Sequence, residues 1–188
     1  MKRIFLLLGI LSALSARQAN AQKIELYADA TMSSCELVDQ GQALRSIHVF
    51  YTGTATATAV RFKAPKPACW LGATWIGDVL GGPGFGSAGN SQSEIFIGFG
   101  FCLAPPVHAA QINYFATGGA EPCCEVTAMQ PSPFPFSYFS CDYNELPVTA
   151  GQKVVINPNE TCRCQSPLAI ETTTWGRVKS LYRQGGRP

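Results

Sequence analysis

Eight cysteines, all of them downstream of an export signal, constrain this chain more than any other feature. Cys35, Cys69, Cys102, Cys123, Cys124, Cys141, Cys162 and Cys164 follow a three-part leader: Lys2 and Arg3, the apolar run Ile4 to Leu14, and the small-residue pattern Ala19-Asn20-Ala21. The leader predicts a signal peptide over 1–21 and a mature protein that starts at Gln22 and is secreted or held at the cell surface. An even cysteine count in an oxidising compartment reads as a disulfide framework. A thiolate metal site is the rival reading. Zinc frameworks want Cys pairs two to four residues apart with His at matching spacing, and the two histidines, His48 and His108, stand near no Cys pair. The pattern calls for no metal and no cofactor.

Bridging adjacent cysteines distorts the peptide between them, so Cys123 and Cys124 are expected to take different partners. Cys162 and Cys164 are expected to do the same, and in a strand both would point to one face and reach one neighbouring loop. Cys102 ends one apolar run and Cys123 or Cys124 follows the next, so a bridge between them would clamp the base of a hairpin. Closing a loop of that length contributes about 3 kcal/mol in the chain-entropy model.

A disulfide-stapled chain still needs a core, and at 46% hydrophobic and 14% charged this one has the material. From Lys23 onward the apolar residues come in short β-branched and aromatic runs separated by Gly, Pro, Asn and Asp. Strands are expected near 24–28, 46–52, 58–63, 94–101, 111–116, 124–129, 136–141 and 153–157. Ile47, Val49 and Tyr51 alternate with Ser46, His48 and Phe50, whereas the run from Glu94 is apolar on both faces, as in a central strand. The fold class is therefore all-β: an antiparallel β-sandwich over 22–171, immunoglobulin-like in the broad sense, with a barrel as the alternative. The stretch Gly81 to Ser91 reads as a long surface loop, and Pro131 to Pro135 as a stiff connector. The basic tail, 172–188, changes grammar. Trp175, Val178, Leu181 and Tyr182 recur at helical spacing, which predicts a two-turn amphipathic helix.

Charge narrows the partners. Loss of Lys2, Arg3 and Arg17 with the leader leaves 11 of the 14 basic residues against 12 acidic ones, and Arg177, Lys179, Arg183 and Arg187 all lie in the tail. The body is acidic, which argues against nucleic acid. The leader's apolar run is too short to span a bilayer and no later stretch is long enough uninterrupted, so no transmembrane segment is expected.

Catalytic signals are sparse. His48, in an expected strand, and His108, in a loop after Pro105-Pro106-Val107, are the candidate bases of a hydrolase, but no Gly-x-Ser-x-Gly elbow accompanies them. The carboxylates Asp29, Asp39, Asp78, Asp142 and Glu145 are scattered. Gly84-x-Gly86-x-x-Gly89 spells a dinucleotide fingerprint, yet a strand follows it where the motif needs a helix. The chain reads as a non-enzymatic module with a structural or adhesion and binding role. Trp70 and Trp75, flanking Gly72 in a loop-like segment beside Cys69, are its candidate ligand-binding residues, able to stack on a glycan or anchor a protein partner, and Phe134, Phe136, Tyr138 and Phe139 crowd another such segment. The plainer role for both is to close the end of the core.

Leu26-Tyr27-Ala28-Asp29, Val60-Arg61-Phe62-Lys63-Ala64-Pro65, Ile112 to Gly118 with Pro122-Cys123-Cys124, and the ending Thr173 to Arg183 give the chain a familiar texture. In these it resembles uncharacterised exported Cys-rich β-sandwich proteins of environmental bacteria. That resemblance implies location and fold, and brings no activity. The ending Trp175-Gly176-Arg177-Val178-Lys179-Ser180-Leu181-Tyr182-Arg183 resembles a short tag found on varied exported proteins. It implies that Trp175, Val178, Leu181, Tyr182 and Arg183 serve sorting or attachment, engaging a cell-envelope component or a sorting receptor.

Overall fold

The computed structural model describes residues 21–164. The leader up to Asn20 and the tail residues Trp175, Val178, Leu181, Tyr182 and Arg183 lie outside the described residues. Every described element is a strand: β1 (Lys23–Tyr27), β2 (Glu36–Leu37), β3 (Ala43–Thr52), β4 (Ala57–Phe62), β5 (Trp70–Leu71), β6 (Thr74–Leu80), β7 (Gly86–Asn90), β8 (Glu94–Leu103), β9 (Val107–Ala116), β10 (Gly119–Ala120), β11 (Cys124–Val126), β12 (Ser137–Ser140), β13 (Glu145–Pro147), β14 (Thr149–Ala150) and β15 (Val154–Ile156). Among the described residues no helix is long and apolar enough to cross a membrane.

Alternation builds two five-stranded sheets. One has the order β14-β1-β3-β9-β6 and the other β13-β12-β4-β8-β7. Ile24 and Leu26 of β1, Ile47, Val49 and Tyr51 of β3, and Ile112 and Tyr114 of β9 are fully buried against Val60 and Phe62 of β4 and Ile95, Ile97 and Phe99 of β8. Each strand thus sends every second side chain into one shared core, which is what a sandwich requires. Tyr51 and Tyr138 meet across that core with ring centroids 5.5 Å apart. Burial also pushes the Tyr114 hydroxyl up to about 12. A small third sheet, β11-β15-β2, and the pair β10-β5 close the flank.

The expected strands are present, and three assignments change. β7 falls inside the Gly81–Ser91 stretch expected to be a loop, because its five residues pair in full with β8. Trp70 and Trp75 sit on β5 and β6 rather than in a loop. His108, expected after a proline-rich loop, stands in β9 opposite Phe50. β8 is apolar on both faces but is not sandwiched between layers: Phe101 on it is 56% exposed.

All eight cysteines are bridged: Cys35 to Cys164, Cys69 to Cys124, Cys102 to Cys141 and Cys123 to Cys162. Cys123 and Cys124 diverge as expected. The pairing of Cys102 with Cys123 or Cys124 is wrong, since β8 and β9 are not a hairpin of one sheet but belong to opposite sheets. Cys102 meets Cys141 instead because β8 and β12 flank β4. Cys162 and Cys164 lie beyond the last strand and reach two segments, not one. Cys123 directly precedes β11 and Cys35 directly precedes β2, so the two bridges pin the chain end to both neighbours of β15.

Candidate functional site

Trp70 is fully buried, and its indole N–H donates to Asp39 Oδ2 at 3.0 Å. This corrects its placement as a ligand-binding residue: it packs on Tyr114, with ring centroids 4.6 Å apart, and has no face left for a sugar. Trp75 is half-buried, packs against the core, and donates to Asp78 Oδ1 at 3.1 Å. The two rings form no common platform.

His48 and His108 do come together, on the outer face of the β14-β1-β3-β9-β6 sheet. His48 Nδ1 lies 3.1 Å from His108 Nε2, and the His108 ring stacks at 4.8 Å on Phe50, which in turn meets Tyr27 edge-on. Burial, then the neighbouring His108, holds His48 below the ordinary imidazole range, while Asp29 pulls the other way. Burial likewise lowers His108. Each histidine is oriented by the other, where a nucleophilic triad needs a hydroxyl on one side and a carboxylate on the other.

The carboxylates hold loops. Asp29 accepts from the backbone N–H groups of Thr31, Ser33 and Ser34 and from the hydroxyls of Thr31 and Ser33. Burial pushes its pKa up, but these hydrogen bonds outweigh it and hold the carboxyl well below the usual range. Asp78 accepts from the Ser91 N–H and hydroxyl, both at 2.7 Å, joining β6 to the turn after β7. Glu145 accepts from Ser137 Oγ at 2.6 Å and from Arg61 Nη1 at 2.7 Å. Among the described residues no three His, Cys, Asp or Glu side chains converge as metal ligands.

The outer face of the β13-β12-β4-β8-β7 sheet carries an aromatic cluster. Strand alternation that buries Ile95, Ile97 and Phe99 turns Phe96 and Gly98 outward. Beside them Arg61 extends over three rings, Phe96, Phe134 and Phe139, at 5.6, 5.1 and 5.4 Å from their centroids. Phe96 and Phe139 meet edge-to-face at 5.3 Å. Phe101, Phe134 and Tyr143 are 56%, 41% and 80% exposed. Aromatic groups left in water around a sheet face mark a surface built for contact.

No known family model matches the sequence, and no curated protein matches it. Among solved structures, a cohesin module from the family 33 glycoside hydrolase of Clostridium perfringens aligns over 74% of this chain and 99% of its own length, at 8% identity and a TM-score of 0.50. The fold is similar to that of this cohesin module. A cohesin of ScaC from Acetivibrio cellulolyticus, solved in complex with the ScaB dockerin, aligns over 72% of this chain and 96% of its own at 13% identity, with a TM-score of 0.49. At such identities the likeness is one of fold.

Within this cohesin-like sandwich the residues that matter for the exposed aromatic face escaped the sequence reading. Phe134 and Phe139 were visible as an aromatic cluster, but Phe96, Gly98 and Phe101 read as core strand. Phe96 and Gly98 face outward because Ile95, Ile97 and Phe99 face the second sheet, whereas Phe101, of the same parity as those buried residues, is turned out by the irregular pairing opposite Ala57 and Ala59 and the positive φ of Gly100.

Proposed function

We propose that this chain is a non-enzymatic extracellular module that binds a partner protein on the outer face of the β13-β12-β4-β8-β7 sheet. The observation that carries the reading is the aromatic set of Phe96, Phe101, Phe139 and Tyr143, with Phe101 and Tyr143 exposed and Phe96 and Phe139 half-buried, on a sheet whose opposite side already fills the core. The cohesin-type fold supplies the scaffold. Four disulfides fit an oxidising exterior, where such bonds persist. The mutual engagement of His48 and His108 and the loop-holding carboxylates favour binding over hydrolysis.

Site-specific photo-crosslinking on the native cell surface tests this. A crosslinker at Ala88, exposed on β7 and opposite Phe96 in register, is expected to capture a protein, and one at Asn113 on the opposite sheet is not. Capture only from Asn113, or equal capture from both, overturns the assignment of the face.

The tail belongs to a separate part of the proposal. Its apolar set Trp175, Val178, Leu181 and Tyr182 with the adjoining Arg183 serves delivery or attachment to the cell envelope, apart from the binding face.

A further inference from the structure

The register of the exposed sheet specifies what it accepts. Gly86 on β7 stands opposite Gly98 on β8, and Gly98 stands opposite Ala59 on β4. The next residue in that cross-strand row is Phe139 on β12. Three of the smallest residues thus form a floor that ends against an aromatic wall. Phe96, Phe101 and Tyr143 complete the walls, together with the Cys102–Cys141 bridge, around a hollow of about 280 Å³. A shallower hollow of about 460 Å³ over Gly86 and Ala88 continues from it.

Packing does not require these glycines. A Cβ on Gly86 would meet nothing within 4 Å, and one on Gly98 would make only ordinary contacts, 3.8 Å from the Phe96 ring and 3.9 Å from the Gly86 carbonyl. Glycine weakens a strand interior and often marks where another molecule approaches the backbone. Tyr143 adds to this. It holds φ at 61°, a left-handed conformation unusual for a bulky residue, at the turn between β12 and β13.

The rim is acidic. Glu94 and Glu145 share a single cation, Arg61, at 3.5 and 2.7 Å. Asp142 stands exposed next to Tyr143. The lining is short of polar groups: the Thr58 hydroxyl is turned onto the carbonyls of Phe139 and Ser140. A sugar, with hydroxyls around its ring, needs several converging polar partners, and this hollow does not supply them.

We propose that the hollow receives an aromatic or branched apolar side chain from a short cationic segment of the partner protein, the acidic rim selecting the flanking Lys or Arg residues. This rests on the face assigned above. It adds the partner's chemistry.

A random peptide phage library panned on the full mature protein tests it. Enriched peptides are expected to carry an aromatic or branched residue flanked by Lys or Arg, and to bind less at high salt. Gly98→Val, which fills the hollow from its floor, should weaken them at least tenfold with an unchanged melting temperature. Gly86→Val, facing open space, is the second variant should the first fold poorly, and Asp142→Lys should weaken them several-fold. No enrichment, acidic peptides, or binding indifferent to the glycine variants overturns the proposal, as does a glycan that binds in a Gly98→Val-sensitive way. Capture from Ala88 with no such peptide preference removes this inference and leaves the binding face standing. Absence of capture there removes the face itself.

Discussion

The indole N–H of Trp70 ends on Oδ2 of Asp39 at 3.0 Å, with Trp70 fully buried and Asp39 4% exposed. The same oxygen accepts from the N–H groups of Gly119 and Ala120 at 3.2 and 3.1 Å, and the Asp39 N–H donates to Asn157 Oδ1 at 2.8 Å. Asp39, which follows β2, therefore ties β5 and β10 through its carboxylate and the segment after β15 through its backbone N–H. Trp70→Phe keeps most of the ring but removes one donor, and should cost about 1.5 to 3 kcal/mol. Asp39→Ala strips the acceptor from three donors and should cost more. Urea unfolding of the two variants measures both, and a loss below about 0.5 kcal/mol for Asp39→Ala would show that the hub is dispensable.

Acid should destabilise the fold through its histidines first. His48 and His108 both titrate below the ordinary value of about 6.5 in the folded state. The unfolded chain therefore binds more protons in that window, and their contribution is complete above about pH 6.5 and lost as pH falls through the depressed folded values. Asp29 acts lower: its stabilising effect is present above about pH 4 and disappears only well below that. Melting temperature recorded from pH 8 to 4 should be level at first and then drop. A His48→Gln, His108→Gln double variant should flatten the drop that begins below about pH 6.5. An unchanged profile in that variant would assign the drop elsewhere.

The bridges should open in order of exposure. Cys102 is exposed, whereas Cys124 is 1% exposed in the core. Timed reduction with alkylation and mass spectrometry should label Cys102 and Cys141 before Cys69 and Cys124. Replacing Cys102 and Cys141 by Ala should cost about 2 to 4 kcal/mol and loosen one wall of the aromatic hollow. Label appearing first on Cys124 would contradict this order.

Truncation after Glu171 should leave the melting temperature unchanged and abolish delivery to the cell surface, with Trp175→Ala reproducing the defect in the intact chain. A large fall in melting temperature, or normal delivery, would remove the sorting role from the tail.

Strands rich in β-branched and aromatic residues were legible because alternation survives in a single sequence. Ile47, Val49 and Tyr51 are buried as their period requires. β7 was not legible: Gly-Ser-Ala-Gly-Asn carries no apolar signal, and only its pairing with β8 makes it a strand. The partner of Cys102 depended on sheet order, and the burial of Trp70 on an acid 31 residues away in sequence. The hollow was hidden for a related reason. Gly86, Gly98 and Ala59 are distant in the chain and become one floor only when three strands lie in register.

The bridge from Cys35 to Cys164 has a mechanical consequence. It encloses 129 residues of sequence separation between two points close to the chain's entry and exit, with Cα atoms 5.9 Å apart. Tension applied between Gln22 and the tail would pass through that sulfur crossbar and leave the enclosed strands unstretched. On the amino-terminal side only β1 and the loop leading to Cys35 could be drawn out, at no more than about 3.6 Å per residue. A protein anchored by its tail and pulled through its binding face would carry the load differently, because the force would then enter inside the covalent loop. The β13-β12-β4-β8-β7 sheet, held by hydrogen bonds and the Cys102–Cys141 bridge, is the part that would have to resist it.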